Sequence, residues 1–349
     1  MKILMIGGTG IISLDIAELS VRLGHEVFLF NRGTHLAPEG THSLHGDISR
    51  AGVLREKTQG LSFDVVADFI SFTPDQLVRK LEALRGRYEQ YIFLSSCGVY
   101  DRGYGSIGAG LSAISSSGGL ISEQRTPTAN FGWDYARNKI ACEHELIKET
   151  WLHGGAFTVV RPAETYNRRR VPGTFVCDGK WYTQIDRMRR GKKTIVHDDG
   201  LARVPLTHAE DFARAFVCLY GNPRAYGEAF HIVTHELISW QAAAEIIAEE
   251  VGVAANICHI PWQKLVRAMP HSSLGDTYGM LACAKRFDCC GYDCTKLRSI
   301  IPDFSCKISF REGIRRTIQY YDEHPAERLI DTSWDEAMDR LVEMAFMES

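Results

Sequence analysis

The sequence predicts an α/β fold: a doubly wound parallel sheet followed by a smaller C-terminal α/β lobe. Three observations predict it. Lys2–Ile6 is a short apolar run that stops at glycines, as a strand buried on both faces does. Gly7–Ser13 then opens a helical stretch, Leu14–Leu23, with Gly24 as its stop. Strand and helix patterns keep alternating to about residue 160, the order that right-handed crossovers in a parallel sheet produce.

The elements follow in turn. Glu26–Phe30 is a second strand, closed by Asn31-Arg32-Gly33. Asp64–Phe69 and Tyr91–Leu94 read as strands on either side of a helix, Pro74–Leu84. Tyr135–Lys148 is a helix and Phe157–Val160 a strand. The second half is less regular. Helices are expected at Trp181–Arg190, Glu210–Tyr220, Trp240–Val251, Phe310–Glu323 and Trp334–Met344, and short strands at Thr194–Val196 and Ala229–Val233. This gives a first domain over 1–166 and a lobe over 167–349, with about 205–235 returning to the first domain. The Gly/Ser-rich stretch Gly103–Gly119 reads as an inserted loop, either a lid or a surface insertion.

The 349 residues carry a formal net charge of -3, which attracts neither a nucleic-acid backbone nor an acidic membrane. The longest basic cluster, Arg168-Arg169-Arg170, fits a solvated or phosphate-binding loop. Met1-Lys2 runs straight into a strand, so a cytoplasmic protein is expected, its ten cysteines reduced. Cys289, Cys290 and Cys294 lack a second Cys pair at finger spacing, and no metal site is expected.

The loop Gly7-Gly8-Thr9-Gly10-Ile11-Ile12-Ser13 carries the first chemistry. Early glycines allow a tight turn, and Gly10 lets backbone approach a pyrophosphate seated on a helix N-terminus. This is the Rossmann-type arrangement for NAD or NADP, with Gly7, Thr9, Gly10, Ile11 and Ile12 at the phosphates. Ser13 stands where glycine is usual. The second strand ends on Asn31 and Arg32, with no carboxylate to take the ribose hydroxyls, so the choice leans to NADP. Asp47 and Ile48 are placed to reach the adenine edge.

Tyr135 and Lys139 are four apart and share a helix face. A lysine ammonium and a cationic nicotinamide are expected to lower the phenol's pKa, making Tyr135 a general base or acid. Ser96, at the end of a buried strand beside Ser95, is expected to hold the substrate oxygen.

The segments GGTGIIS, SSCGVY, YARNK and RPAETY stand in the order and spacing of the extended short-chain dehydrogenases/reductases, and the chain resembles that family, specifically the NAD-dependent epimerase/dehydratase group. VHDDGLARVPLTHAED from Val196, GEAFHIVTHELISW from Gly227, Gly291–Lys296 with Pro302-Asp303-Phe304, and Phe310–Arg315 extend the resemblance over almost the whole chain. It implies Ser96, Tyr135 and Lys139 as a catalytic triad, Ser95 with the cofactor groups, and Pro162 and Ala163 beside the nicotinamide. It also implies a sugar or nucleotide-sugar substrate and a homodimer paired through first-domain helices.

Two departures matter. Where the family's sugar dehydratases have Asp-Glu after the catalytic hydroxyl, this chain has Cys97-Gly98. Cys97 is an accessory acid/base or a small packed residue, and Glu164 an acid/base or a structural carboxylate. Lys180, Arg187, Arg189 and Arg203 are either diphosphate ligands or solvated charges.

The leading reading is redox chemistry on a sugar hydroxyl through a keto intermediate, ending in epimerisation or in net dehydrogenation or reduction. The alternatives are an NADPH-dependent ketone reductase of a non-nucleotide substrate and a non-catalytic dinucleotide- or RNA-binding regulator. The Ser/Tyr/Lys set and the acidic charge count against the regulator.

Overall fold

The structure is a computed structural model that describes residues 1–100, 120–127, 134–262, 264–265 and 291–347. The expected lid at 103–119 and Cys289-Cys290 lie outside the described residues.

Seven strands build the main sheet: β1 (Lys2–Ile6), β2 (Glu26–Asn31), β3 (Thr41–His45), β4 (Phe63–Asp68), β5 (Tyr88–Leu94), β6 (Ala156–Pro162) and, far along the chain, β11 (Glu228–Ile232). Their order is β11-β6-β5-β4-β1-β2-β3, and every neighbouring pair is parallel. The two-residue period sorts the side chains onto two faces. Ile3, Met5, Val27, Leu29, Val65 and Ala67 meet α1 (Ser13–Arg22) on one face. Leu4, Ile6, Phe28, Phe30 and Val66 meet α3 (Pro74–Leu84) and α4 (Asp134–His153) on the other. Between β3 and β4 lies a short helix, α2 (Val53–Lys57). Two apolar faces with helices on each explain the largely apolar runs of the central strands.

The rest of the chain adds β7 (Glu164–Tyr166), α5 (Tyr182–Arg189), β8 (Thr194–His197), β9 (Arg203–Val204), β10 (Leu206–His208), α6 (Ala209–Phe216), β12 (Ile238–Ser239), α7 (Trp240–Val251), β13 (Ile257–Ile260), α8 (Thr295–Ile300), α9 (Phe310–Glu323) and α10 (Thr332–Met347). Three two-stranded pairs, β7 with β10, β8 with β13 and β9 with β12, frame the lobe. Their strands are two to four residues long, too short for β7, β9, β10 and β12 to leave a periodic signal in the sequence.

One expectation shifts. The helix expected over Glu210–Tyr220 ends at Phe216 and continues as a tight turn, Val217–Leu219, before Gly221. Phe212 and Phe216 on α6 pack in the first core, together with Tyr292, Cys294 and Leu297.

Candidate active site

In a parallel sheet all strands end on one edge, and ligands bind in the crevice outside it. The glycine loop after β1, Asn31 closing β2, Ser96 after β5 and Pro162 closing β6 therefore share one rim.

Gly7 and Gly8 have φ of +115° and +87°, which side chains other than glycine's rarely adopt. A Cβ on Gly8 would stand 2.6 Å from Leu29 Cδ2, in the buried core. Gly10 has ordinary φ, and a Cβ there would meet only the Ser13 hydroxyl, at 3.4 Å. Ser13 is more than a small substitute: its Oγ accepts the Gly10 N–H at 3.0 Å, so that donor is engaged within the loop. No side chain caps α1. At the tip of β2 the Asn31 Oδ1 accepts the Gly33 N–H at 2.8 Å, while its Nδ2 is buried with no partner. A buried donor without an acceptor is costly, and a ribose oxygen or phosphate at this place would satisfy it. The cradle and this orphaned amide fit a dinucleotide. Arg32 is exposed, and its charge acts on Asp47. Asp47 turns to its own loop, accepting from Ser49 N at 2.9 Å and Oγ at 2.8 Å, which holds its carboxyl below the usual value. Ile48 is half-buried and packs on the α3 face of the sheet.

Ser96 Oγ accepts the Gly98 N–H at 3.0 Å and caps the tight turn Cys97–Val99. The Ser96 hydroxyl is near enough to the Tyr135 phenol to favour its ionised form. Lys139 is 1% exposed; its Nζ donates to the carbonyls of Ser71 at 2.7 Å and Leu94 at 2.8 Å. That ammonium lies 4.9 Å from the Phe72 ring centre, 4.8 Å from that of Phe93 and 5.8 Å from that of Tyr135. Burial pushes it down to about 8, against the pull of Asp68. The protein groups alone act on the tyrosine as follows. Burial raises the phenol above its usual value, the Ser96 hydroxyl pulls it back, and the charge of Glu164 raises it again.

The other named residues are held as follows. Ser95 is turned inward, donating to Glu143 Oε1 at 2.5 Å. Glu143 takes a two-pronged contact from Arg161, Nε at 2.9 Å and Nη2 at 2.6 Å. Arg161 donates in turn to Tyr100 Oη at 2.7 Å, and that oxygen meets His231 Nε2 at 2.6 Å. Cys97 is buried with its thiol donating to the Arg161 carbonyl at 3.1 Å. Glu164 is paired with Arg170 at 2.5 Å. Pro162 pairs with Ile232, and Ala163 packs half-buried on the first core.

The basic side chains considered for a diphosphate are paired within the chain. Arg187 is buried against Asp335 at 2.6 Å and Asp339 at 2.7 Å; Lys180 meets Asp331 at 3.1 Å and Arg189 meets Asp322 at 3.5 Å. Arg168 grips Glu18 at 2.5 Å, and Arg169 meets Glu327 at 3.4 Å. Arg203 is exposed.

The sequence reading missed one constellation. Asp68, at the end of β4, is wholly buried and ion-paired to Lys80 at 2.9 Å. A carboxylate closing the apolar run Phe63–Asp68, and a lysine within the stripe Leu77-Lys80-Leu81-Leu84, are the signals that mark it. Among the described residues no group of three or more His, Cys, Asp or Glu stands where it could hold a metal ion, and no helix is long and apolar enough to cross a membrane.

Comparison with known proteins bears on residues 3–233, which match the family model described as "NAD dependent epimerase/dehydratase family". A chloroplast stem-loop binding protein of 41 kDa from Arabidopsis thaliana is 27% identical over 267 residues, 72% of this chain and 63% of the relative. The chain thus spans under two thirds of that protein. A 2'-dehydrokanamycin reductase from Streptomyces kanamyceticus is 22% identical, over 75% of this chain and 70% of the relative. Among solved structures, UDP-glucuronic acid 4-epimerase from Bacillus cereus with UDP-glucuronic acid and NAD aligns with a TM-score of 0.70 at 16% identity, covering 93% of this chain and 99% of the other. UDP-glucose 4-epimerase from Thermotoga maritima aligns with a TM-score of 0.70 at 17% identity and the same coverage. At such identities the likeness is one of fold. The family match covers about two thirds of the sequence, and the chain belongs to the NAD-dependent epimerase/dehydratase family.

Proposed function

We propose that this chain is an NAD(P)-dependent oxidoreductase or epimerase that acts on a sugar or nucleotide-sugar hydroxyl through a keto intermediate. The observation that carries the reading is the buried Lys139 ammonium, held by the Ser71 and Leu94 carbonyls and 5.8 Å from the Tyr135 ring centre, on the rim that bears Ser96 and the glycine loop. When bound, the dinucleotide supplies the hydride acceptor or donor. Gly7, Thr9, Ile11 and Ile12 would hold its phosphates by backbone, and Asn31 Nδ2 would donate to the adenosine ribose. Asn31 and Arg32 favour NADP by a small margin, because the strand tip offers donors and no carboxylate, while Asp47 offsets part of the Arg32 charge.

Ser96 Oγ orients the reacting oxygen, and Tyr135 Oη takes its proton or returns it. The positive charge of Lys139 favours the phenolate once that proton has moved. The Glu164–Arg170 pair borders the phenol, and its engagement with Arg170 makes Glu164 a fixed charge rather than a proton carrier. Cys97, hydrogen-bonded to backbone, acts by packing.

One set of contacts favours the second reading, a ketone reductase of a non-nucleotide substrate. Arg168, Arg170, Lys180, Arg187 and Arg189 are each neutralised by a carboxylate, which leaves a diphosphate few partners among them. The Streptomyces relative is named for the reduction of such a ketone.

Mass spectrometry of what co-purifies, followed by hydride-transfer assays on that compound, tests both. Tightly held, non-exchanging NAD with a nucleotide sugar supports the epimerase. Freely exchanging NADPH with stoichiometric conversion of a keto compound supports the reductase. A chain that binds neither dinucleotide overturns both readings.

A further inference from the structure

Behind Lys139 lies a buried polar cluster that the proposed chemistry leaves unused. Asp68 closes β4 and is wholly buried, while Lys80 projects from α3 with its side chain 2% exposed. Their ion pair is 2.9 Å long, and Tyr91 Oη also donates to Asp68, at 2.7 Å. Ser71 is gripped on both sides. Its hydroxyl donates to Asp68 Oδ2 at 2.5 Å and accepts from Lys80 Nζ at 2.8 Å. Its carbonyl accepts from Lys139 Nζ at 2.7 Å.

Stability alone is a poor reason for such a pair, since well-packed apolar residues of similar volume commonly do as well. A fixed Ser71, by contrast, fixes one of the two carbonyls that hold the Lys139 ammonium. We propose that Asp68 and Lys80 are positioning residues for Lys139, acting through Ser71. This rests on the role given to Lys139 above.

The pair also sets the electrostatics around that ammonium. Facing Lys139 are Asp68 from β4, Lys80 from α3, and Tyr135, Cys142 and Glu143 from its own helix. Asp68 raises the lysine's pKa more than Lys80 lowers it, and burial outweighs both. Removing one member leaves the other's charge unbalanced, and the sign of the effect depends on which is removed.

The test is the pH titration of Lys139 in full-length protein carrying 13C-labelled lysine, with the Lys139 signal assigned by Lys139→Arg. Wild type titrates near 8. Lys80→Met moves the midpoint up and Asp68→Asn moves it down, each by about 1 pH unit, the scale of a nearby charge. The double variant, which leaves no unpaired charge, returns it towards wild type and serves if either single variant fails to fold. Lys80→Arg keeps the wild-type midpoint. Midpoints that stay within about 0.2 pH units in every folded variant, while thermal stability changes, overturn the proposal and leave the pair structural. The titration involves no turnover, so its failure is distinct from that of the proposed enzymatic reading, which kinetics on Tyr135 variants decides.

Discussion

Replacing Arg161 by methionine removes the guanidinium at the centre of the buried chain Ser95–Glu143–Arg161–Tyr100–His231. Arg161 and Glu143 side chains are 6% and 5% exposed, so solvent cannot stand in for either partner. The variant strips Glu143 of both prongs, leaving it the Ser95 hydroxyl at 2.5 Å, and takes a donor from Tyr100 Oη. An uncompensated buried charge of this kind costs about 3–5 kcal/mol. Unfolding entropy of roughly 2.1 cal/mol/K per residue over 349 residues gives about 0.7 kcal/mol per degree, so Tm falls by about 4–7 °C. Arg161→Met/Glu143→Leu, which removes both charges, recovers most of the loss. Calorimetry at neutral pH measures both variants. A single-variant change under about 1 °C, or a double variant no more stable than the single, refutes the view that the penalty comes from one stranded charge.

Gly8→Ala sets a side chain at φ +87° against Leu29, and dinucleotide affinity measured by fluorescence titration is expected to fall at least about tenfold. Arg32→Ala is expected to weaken NADP about three- to tenfold while leaving NAD within about twofold, as isothermal titration of each would report. Burial raises Asp15 from 3.8 to about 6, against the attraction of Arg168. The folded state keeps this proton where the unfolded chain has released it, so stability falls as pH rises from about 4 to about 6, by up to about 3 kcal/mol. Asp15→Asn removes this contribution, so denaturation midpoints at pH 4 and pH 7 lie closer together in the variant than in wild type.

The parts of the fold legible in the sequence are those where one rule dominates. A strand buried on both faces is a near-continuous apolar run, which exposed β1, β2 and β4 at once. The glycine loop was legible because left-handed φ at Gly7 and Gly8 demands glycine. The i, i+4 spacing brought out Tyr135 and Lys139. Local pattern did not carry what depends on distant partners. Arg187 looks like a free basic residue on a helix until α10 brings Asp335 and Asp339 to it. Ser95 looks like a rim hydroxyl until Glu143 turns it inward. The sign of the Tyr135 shift depends on how much burial outweighs nearby charge, which spacing does not reveal. Asp68 and Lys80 were present as charges in apolar stripes, but their meaning lies in Ser71, which touches both.

The role of Tyr135 as proton carrier is best tested by Tyr135→Phe, comparing turnover on the co-purifying substrate with dinucleotide affinity in the same preparation. Loss of a positioned general acid/base predicts a fall in kcat of about 10²–10⁴-fold with cofactor affinity held within about twofold. A Phe variant that turns over within a few-fold of wild type contradicts the assignment.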